Sequence, residues 1–419
     1  MKPSTEKFCK ACAGTPYALL PQATRVFIKN RSLALRLTHQ SIRNLIIMAR
    51  DLEMWGARPL TEIMNCDETN RSRAMAQATN EWERLKTAGR DYDGFNPGFK
   101  KPRIARSVRK SSIPAGDRIL GPCPVSSPRT RCCNLLTLDT ARGCLHKCSY
   151  CSVQDFFKAP AKRGIQIEKN LRQKLDALAL DPDAVHHIGT GQSSDSLMLE
   201  NRFGELEALV DFARKNPNVI LELKTKSAAV EPLLALHPPR NIICTWTLSA
   251  PSIIRCEEHL AASLDERLTA AEKAAGAGLL VGFHFHPMFP FAGWEREYSG
   301  ICNRLVESFN PGQIAMVSFG ALTFARSLPA RIRELPYKSK ILQMPLTECA
   351  GKISFPAGDK VKLFSTAYAA LLPWHGRVFF YLCMEPHELW HASIGHEFRS
   401  NEDFERAMKT SYIEKILGR

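Results

Sequence analysis

From about residue 135 onward this chain alternates short β-branched runs with helix-patterned stretches, and no other feature narrows the possible folds as far. The strand candidates are NLLTLDTAR, VHHIGTG, VILELKTK, NIICTWTLSA, LLVGFHFHPM and QIAMVSFGAL. Between them lie RFGELEALVDFARK, AAVEPLLALH, LDERLTAAEKAAGAG and WEREYSGICNRLVESF. In the third of these, Leu264, Leu268, Ala271 and Ala275 fall on one stripe, which predicts a helix with its charges on the opposite face. Gly276 and Gly278 are placed to end it. Strand–helix–strand units at this spacing cross over right-handedly into parallel neighbours, giving a barrel or a doubly wound sheet. Six units are too few for an eight-fold barrel.

The loop after the first strand reads TARGCLHKCSYCSVQDFF, with Cys144, Cys148 and Cys151 separated by three residues and then two. A [4Fe–4S] cluster ordinarily takes four thiolates, so three on one short loop leave one iron open to a small molecule. Zinc would ask for a fourth Cys or His at short spacing, and His146, inside the loop, does not complete a tetrahedral pattern. In parallel barrels the functional loops sit at the carboxyl ends of the strands, which puts the cysteines over one mouth. Thr190, Ser194, Lys226, Thr247, Ser249, His284 and His286 then become candidate lining residues.

The cysteine spacing resembles the signature of the radical S-adenosylmethionine (SAM) enzymes, in which the open iron is chelated by the amino and carboxylate groups of the cofactor. Tyr150, just before the third cysteine, also fits. The segments ELKTKSAAVEPLLAL and SLDERLTAAEKAAGAGLLVGFHFHPMFPFAGWEREY resemble the spore photoproduct lyase family more specifically, over roughly residues 135 to 335. The Gly293-Trp294-Glu295 step after a GF-x-x-x-P strand is a distinctive part of the match. The resemblance implies an open, partial (β/α)6 TIM-like barrel, a [4Fe–4S] cluster, and S-adenosylmethionine cleaved to a 5′-deoxyadenosyl radical. It also implies a DNA thymine lesion as substrate and a low-potential electron donor such as flavodoxin or ferredoxin. By the same resemblance Lys226 meets the cofactor carboxylate, Ser194 and Thr247 hold its methionine part, Tyr150 lies near its adenine, and Asp195 braces the loop or binds the amino group. One position departs: Gln192 stands where the lyase carries the cysteine that returns hydrogen to the product radical. An amide cannot do this, and strand alternation turns Cys244 away from the face that carries Thr245, Thr247 and Ser249. The hydrogen donor and the reaction's outcome are therefore open. So are two other readings, a radical enzyme acting on a protein or small molecule and a nucleic-acid-binding iron–sulfur protein that does not cleave the cofactor.

A net charge of +15 and a pI near 9.3 favour a polyanionic partner. The run PGFKKPRIARSVRKSS, with Lys100, Lys101, Arg103, Arg106, Arg109 and Lys110, reads as a basic arm or a solvated linker. The expected divisions are a basic, partly helical extension over 1–130, the barrel over 131–335, and a small C-terminal segment over 336–419 that holds one further strand candidate, RVFFYLCM. No stretch is long and apolar enough to span a membrane, the N-terminus carries no export signal, and fourteen cysteines in a chain of this length point to a reducing cytoplasm. Two motifs are set aside. His387, Glu388 and His391 have HExxH spacing, but His396 is one residue short of the metzincin third ligand. Cys9 and Cys12 form a CxxC with no second close pair, and further ligands would have to come from thiols such as Cys66 or the Cys132–Cys133 pair.

Overall fold

The computed structural model describes residues 3–88, 90–101, 110–114, 116–124, 127–153, 165–349 and 351–418. The chain forms two compact units, one of residues 1–101 with 326–347, the other of residues 102–325 with 348–419. These units interleave the stretches that the sequence reading kept apart.

The first unit is helical, with the helices Pro3–Cys12, Gln22–Ala34, His39–Trp55 and Arg71–Thr87. In the third, Ile42, Leu45, Ile46, Ala49 and Leu52 recur at helical spacing and are buried together. Thr38 caps its start by accepting the Ser41 N–H at 3.1 Å, and Gly56 ends it at φ +70°. Asp51, fully buried on this helix, is gripped by Arg333, with the two nitrogens 2.7 and 2.8 Å from its oxygens, and by Trp82 Nε1 at 3.1 Å. That pairing joins residues 326–347 to the N-terminal helices. Of the basic run, Lys100 and Lys101 are exposed, Lys110 opens a short strand Lys110–Ser112, and Arg103, Arg106 and Arg109 lie outside the described residues.

The second unit is an open, curled sheet of eight strands: β1 (Leu120–Pro122), β2 (Leu136–Leu138), β3 (His186–Thr190), β4 (Val219–Thr225), β5 (Ile242–Thr247), β6 (Leu280–Met288), β7 (Ile314–Ala321) and β8 (Phe379–Leu382). They lie side by side in chain order, parallel from β2 to β8, with β1 antiparallel at the edge. This is the partial TIM-like barrel expected from the sequence, extended at both ends. RVFFYLCM supplies the seventh parallel strand. All eight residues of β7 are buried, a pattern that an edge strand facing water would not show, and β8 covers that side. NLLTLDTAR is not one strand: after β2 the chain bends, and Ala141–Arg142 joins a small separate sheet with Lys110–Ser112 and Ile165–Ile167.

Candidate functional site

The cysteine loop follows β2 and is fastened along its length. Gly143, at φ +90°, donates its N–H to Ser193 O at 2.9 Å, and Lys147 adopts φ +54° at the turn between the first two cysteines. The segment after the helix Pro251–Glu257 runs beside the loop like a short strand. Ser149 N donates to Glu257 O at 2.8 Å, Leu260 N to His146 O at 2.9 Å, and Cys148 and Glu258 form an antiparallel bridge between these bonds. His146 adds a side-chain bond, its Nδ1 3.2 Å from Leu260 O, and an ion-pair contact, its Nε2 3.0 Å from Asp195 Oδ2. Burial opposes charging this ring, yet the Asp195 carboxylate outweighs burial and raises its pKa.

Asp195 is the knot of the site. Besides His146 it accepts the Lys226 N–H at 2.6 Å, the Thr225 hydroxyl at 2.8 Å and the Leu197 N–H at 3.0 Å. Burial would raise its pKa, but His146 and these donors hold it below the ordinary range. Through these contacts Asp195 joins the cysteine loop, its own loop after β3 and the end of β4.

Cys148 is buried, and Cys144 and Cys151 are partly so. Burial pushes the Cys144 thiol well up, and the charges of Asp195, Cys151 and Cys148 push it further; burial likewise raises Cys148. Thiols that raise one another in this way are unfavourable as free thiolates and favourable as ligands to iron, which neutralises them. Among the described residues no three His, Cys, Asp or Glu side chains converge on one ion position. Tetrahedral zinc holds thiolates roughly 3.8 Å apart, whereas a cubane takes each thiolate on a different iron.

Behind Cys148 lies a buried ionic network that the sequence reading missed. Glu258, with a fully buried side chain, accepts from Lys226 Nζ at 2.6 Å, Ser249 Oγ at 2.6 Å, the Tyr150 hydroxyl and Arg267 Nη2. Burial would raise its pKa, but Arg267 and Lys226 outweigh burial and hold it well below the carboxylate range. Arg267 spends its other donors on Thr247 O and Ala262 O, both at 2.9 Å. It sits between Leu264 and Leu268 on the helix Leu264–Gly276 and is buried, which corrects the expectation that charges of this helix lie on its outer face. A charge at i+3 of an apolar stripe was the signal available. Lys226 also contacts Tyr150 Oη at 2.8 Å and lies 5.4 Å from its ring centre. An ammonium has three donors; among the described residues Lys226 uses two, leaving one for a ligand. Tyr150, buried, packs edge-on against Phe289 at 5.1 Å.

Thr247 ends β5 and is buried; Ser194 and Gln192 are partly buried in the loop after β3. Thr245 turns inward to Glu222 at 2.9 Å, so strand alternation puts Cys244 on the opposite face, where burial pushes its thiol up to about 12. His387 stands at the start of the short helix Glu388–Ile394 without a side-chain capping bond; it and His391 are exposed, and His387 lies near Glu388 and Glu397. In the N-terminal CxxC, Cys9 is exposed, and burial followed by the charge of Cys9 raises Cys12 to about 11.

A family model described as spore photoproduct lyase matches residues 130–352, more than half of the chain. The chain belongs to the spore photoproduct lyase family. A spore photoproduct lyase of Clostridium acetobutylicum is 25% identical over 172 residues, covering 40% of this chain and 50% of that protein. That of Bacillus subtilis (strain 168) is 24% identical over 167 residues, 39% of this chain and 49% of the other. The chain thus spans about half the length of the curated relatives it matches. Among solved structures, a spore photoproduct lyase complexed with dinucleoside spore photoproduct superposes with a TM-score of 0.52 at 20% identity, covering 62% of this chain and 78% of that one. A mutant of the lyase with bound AdoMet and dinucleoside spore photoproduct gives 0.53 at 18% identity, over 73% and 94%. At these identities the superpositions establish the fold. No helix among the described residues is long and apolar enough to cross a membrane.

Proposed function

We propose that this protein is a radical SAM enzyme of lyase type that acts on damaged nucleic acid. What a [4Fe–4S] cluster supplies when bound is the electron for reductive cleavage of S-adenosylmethionine. Cys144, Cys148 and Cys151 would hold it. Lys226, fixed by Glu258 and Tyr150 with one donor to spare, orients the cofactor's carboxylate. Thr247 and Ser194 offer hydroxyls to its methionine part, and Tyr150 with Phe289 forms an apolar wall that keeps water out. Asp195 keeps the cysteine loop and the Lys226 backbone in one register. The observation that carries this reading is that last connection: one carboxylate ties the three-cysteine loop to the strand end that bears the free ammonium donor. Support for a lesion in DNA comes from the lyases that bind a dinucleoside spore photoproduct and from the net charge of +15. A flavodoxin- or ferredoxin-like protein suits the electron supply.

Gln192 favours an outcome other than plain lesion reversal, because no thiol stands there to return hydrogen. The test is anaerobic reconstitution, reduction with dithionite, and measurement of 5′-deoxyadenosine with a thymine-lesion dinucleotide, undamaged DNA and no DNA. Lesion-dependent deoxyadenosine is expected. Its absence in every arm, with the cluster assembled, would overturn the proposal.

A further inference from the structure

The inner face of the sheet carries two layers of side chains, and in the lower one the carboxylate is fully taken up, while His187 Nδ1 stays without a partner among the described residues. In the lower layer Glu222 of β4 accepts from His187 Nε2 at 2.9 Å, His284 Nε2 at 2.7 Å and Thr245 Oγ1 at 2.9 Å. Because His284 uses Nε2–H on the carboxylate, its Nδ1 is bare and accepts the Ser318 hydroxyl at 2.6 Å. Ser318 Oγ in turn accepts the N–H of His286 Nε2 at 3.0 Å.

Two residues further along the same strands, towards the mouth, come Lys224, Thr247, His286 and Gly320. Here groups are left over. His286 has given Nε2–H to Ser318, and its Nδ1 makes no bond among the described residues. Lys224, partly buried in the barrel wall, has neither an ion pair nor a hydrogen bond among the described residues. Glu222, two residues before it on the same face, is already occupied by three donors. The His284 and His286 rings lie 4.9 Å apart and are tilted by 44°, so His286 links the lower layer to the upper one. Gly320 makes room for it: a Cβ there would meet His286 Cδ2 at 3.1 Å and Cys383 O at 3.1 Å. Neither Lys224 Nζ nor His286 Nδ1 is among the described buried polar atoms that lack a partner, so both are accessible to an incoming anion.

Building on the nucleic-acid reading above, we propose that Lys224 and His286 form an oxyanion subsite that receives a phosphodiester group of the substrate. Lys224 supplies a permanent charge. His286 supplies Nδ1, which must take up a proton to donate to a phosphate oxygen. In the empty site burial and the nearby Lys224 hold this imidazole well below its ordinary pKa, so it is neutral; an anion reverses the balance and draws in one proton. Occupation of the subsite thus couples phosphate binding to protonation, and affinity rises as pH falls.

The test uses the full, anaerobically reconstituted protein with S-adenosylmethionine and measures equilibrium binding without turnover. The probes are thymidylyl-(3′→5′)-thymidine, its uncharged methylphosphonate counterpart and inorganic phosphate. The wild type is expected to prefer the diester by about tenfold, a gap of the size one ion pair supplies. Lys224→Met should abolish the preference while leaving the methylphosphonate's affinity unchanged, and Lys224→Arg should retain it. Titration in buffers of different ionisation enthalpy should show uptake of about one proton per diester, lost in His286→Phe. Equal weakening of both dinucleotides in Lys224→Met would overturn the subsite. So would a loss confined to S-adenosylmethionine, which would make the cofactor's carboxylate the ligand of Lys224, or inorganic phosphate competing as well as the dinucleotide, which would indicate a small phosphorylated molecule. If the binding pattern holds but no deoxyadenosine forms, the enzymatic reading fails and the subsite stands.

Discussion

Replacing Glu258 by Gln tests whether the ionic network holds the site together. The substitution keeps the shape and one acceptor oxygen but removes the carboxylate that Arg267 and Lys226 share. Lys226 is 15% exposed in its side chain and can turn towards water, whereas Arg267 is wholly buried and cannot. Breaking a buried pair typically costs about 3–5 kcal/mol. The two backbone carbonyls that remain on Arg267 place this variant near the lower end, about 3 kcal/mol. A loss of that size lowers the melting temperature of a large domain by roughly 6–12 °C. The assay is anaerobic, metal-free thermal unfolding followed by far-ultraviolet circular dichroism, with Arg267→Met and the double variant beside it. The double variant leaves no buried charge without a partner, so it should unfold well above the sum of the two losses, with a coupling of at least about 1 kcal/mol. Additive losses, or a Glu258→Gln midpoint within 2 °C of wild type, would refute the view that Glu258 neutralises a trapped guanidinium.

Further predictions concern the loop and the basic arm. The pKa of His146 is raised and that of Asp195 lowered, so their mutual stabilisation is complete between the unfolded values of about 4 and 6.5. It is lost at higher pH as His146 gives up its proton and at lower pH as Asp195 gains one; amide exchange at Ser149 and Leu260, corrected for intrinsic rates, should be slowest in that window and become flat in His146→Gln. Gly191→Ala should destabilise the loop carrying Gln192 to Asp195 by at least about 2 kcal/mol, since φ is +85° and a Cβ would meet Lys224 O at 2.4 Å; urea unfolding reads it, and Gln192→Ala, next in the chain, serves as the control. Neutralising Lys100, Lys101, Arg103 and Arg106 should flatten the salt dependence of DNA binding, and an unchanged slope would remove the arm from the interface.

The parallel core was legible because β5 and β7 are buried on both faces, β7 reading as the nearly continuous apolar run IAMVSFGA, and because β4 opens on the apolar VIL. The cysteine loop and Lys226 were legible because a short spacing and a strand end are local facts. Glu258 and Arg267 were not, since a buried charge differs from a solvated one only through partners that lie far apart along the chain. Lys226 is 32 residues from Glu258 and Tyr150 is 108. The seventh parallel strand was visible as a β-branched aromatic run, but its place beside β7 depends on closure of the sheet. The split of NLLTLDTAR was hidden for a similar reason, because Ala141–Arg142 finds its partner in Ile165–Ile167 beyond the cysteines.

Backbone bonds of Gly143, Ser149, Leu260 and Cys151 tie the cysteine loop to itself and to the segments beside it. If the proposed cluster binds here, it would enter a loop that its own backbone bonds already shape, whereas a zinc finger folds around its metal. Iron and sulfide should load with little change in helix and strand content, and oxidative loss of the cluster should leave a folded shell able to be refilled. For a cell, damage by oxygen would then call for a fresh cluster and spare the cost of a new polypeptide.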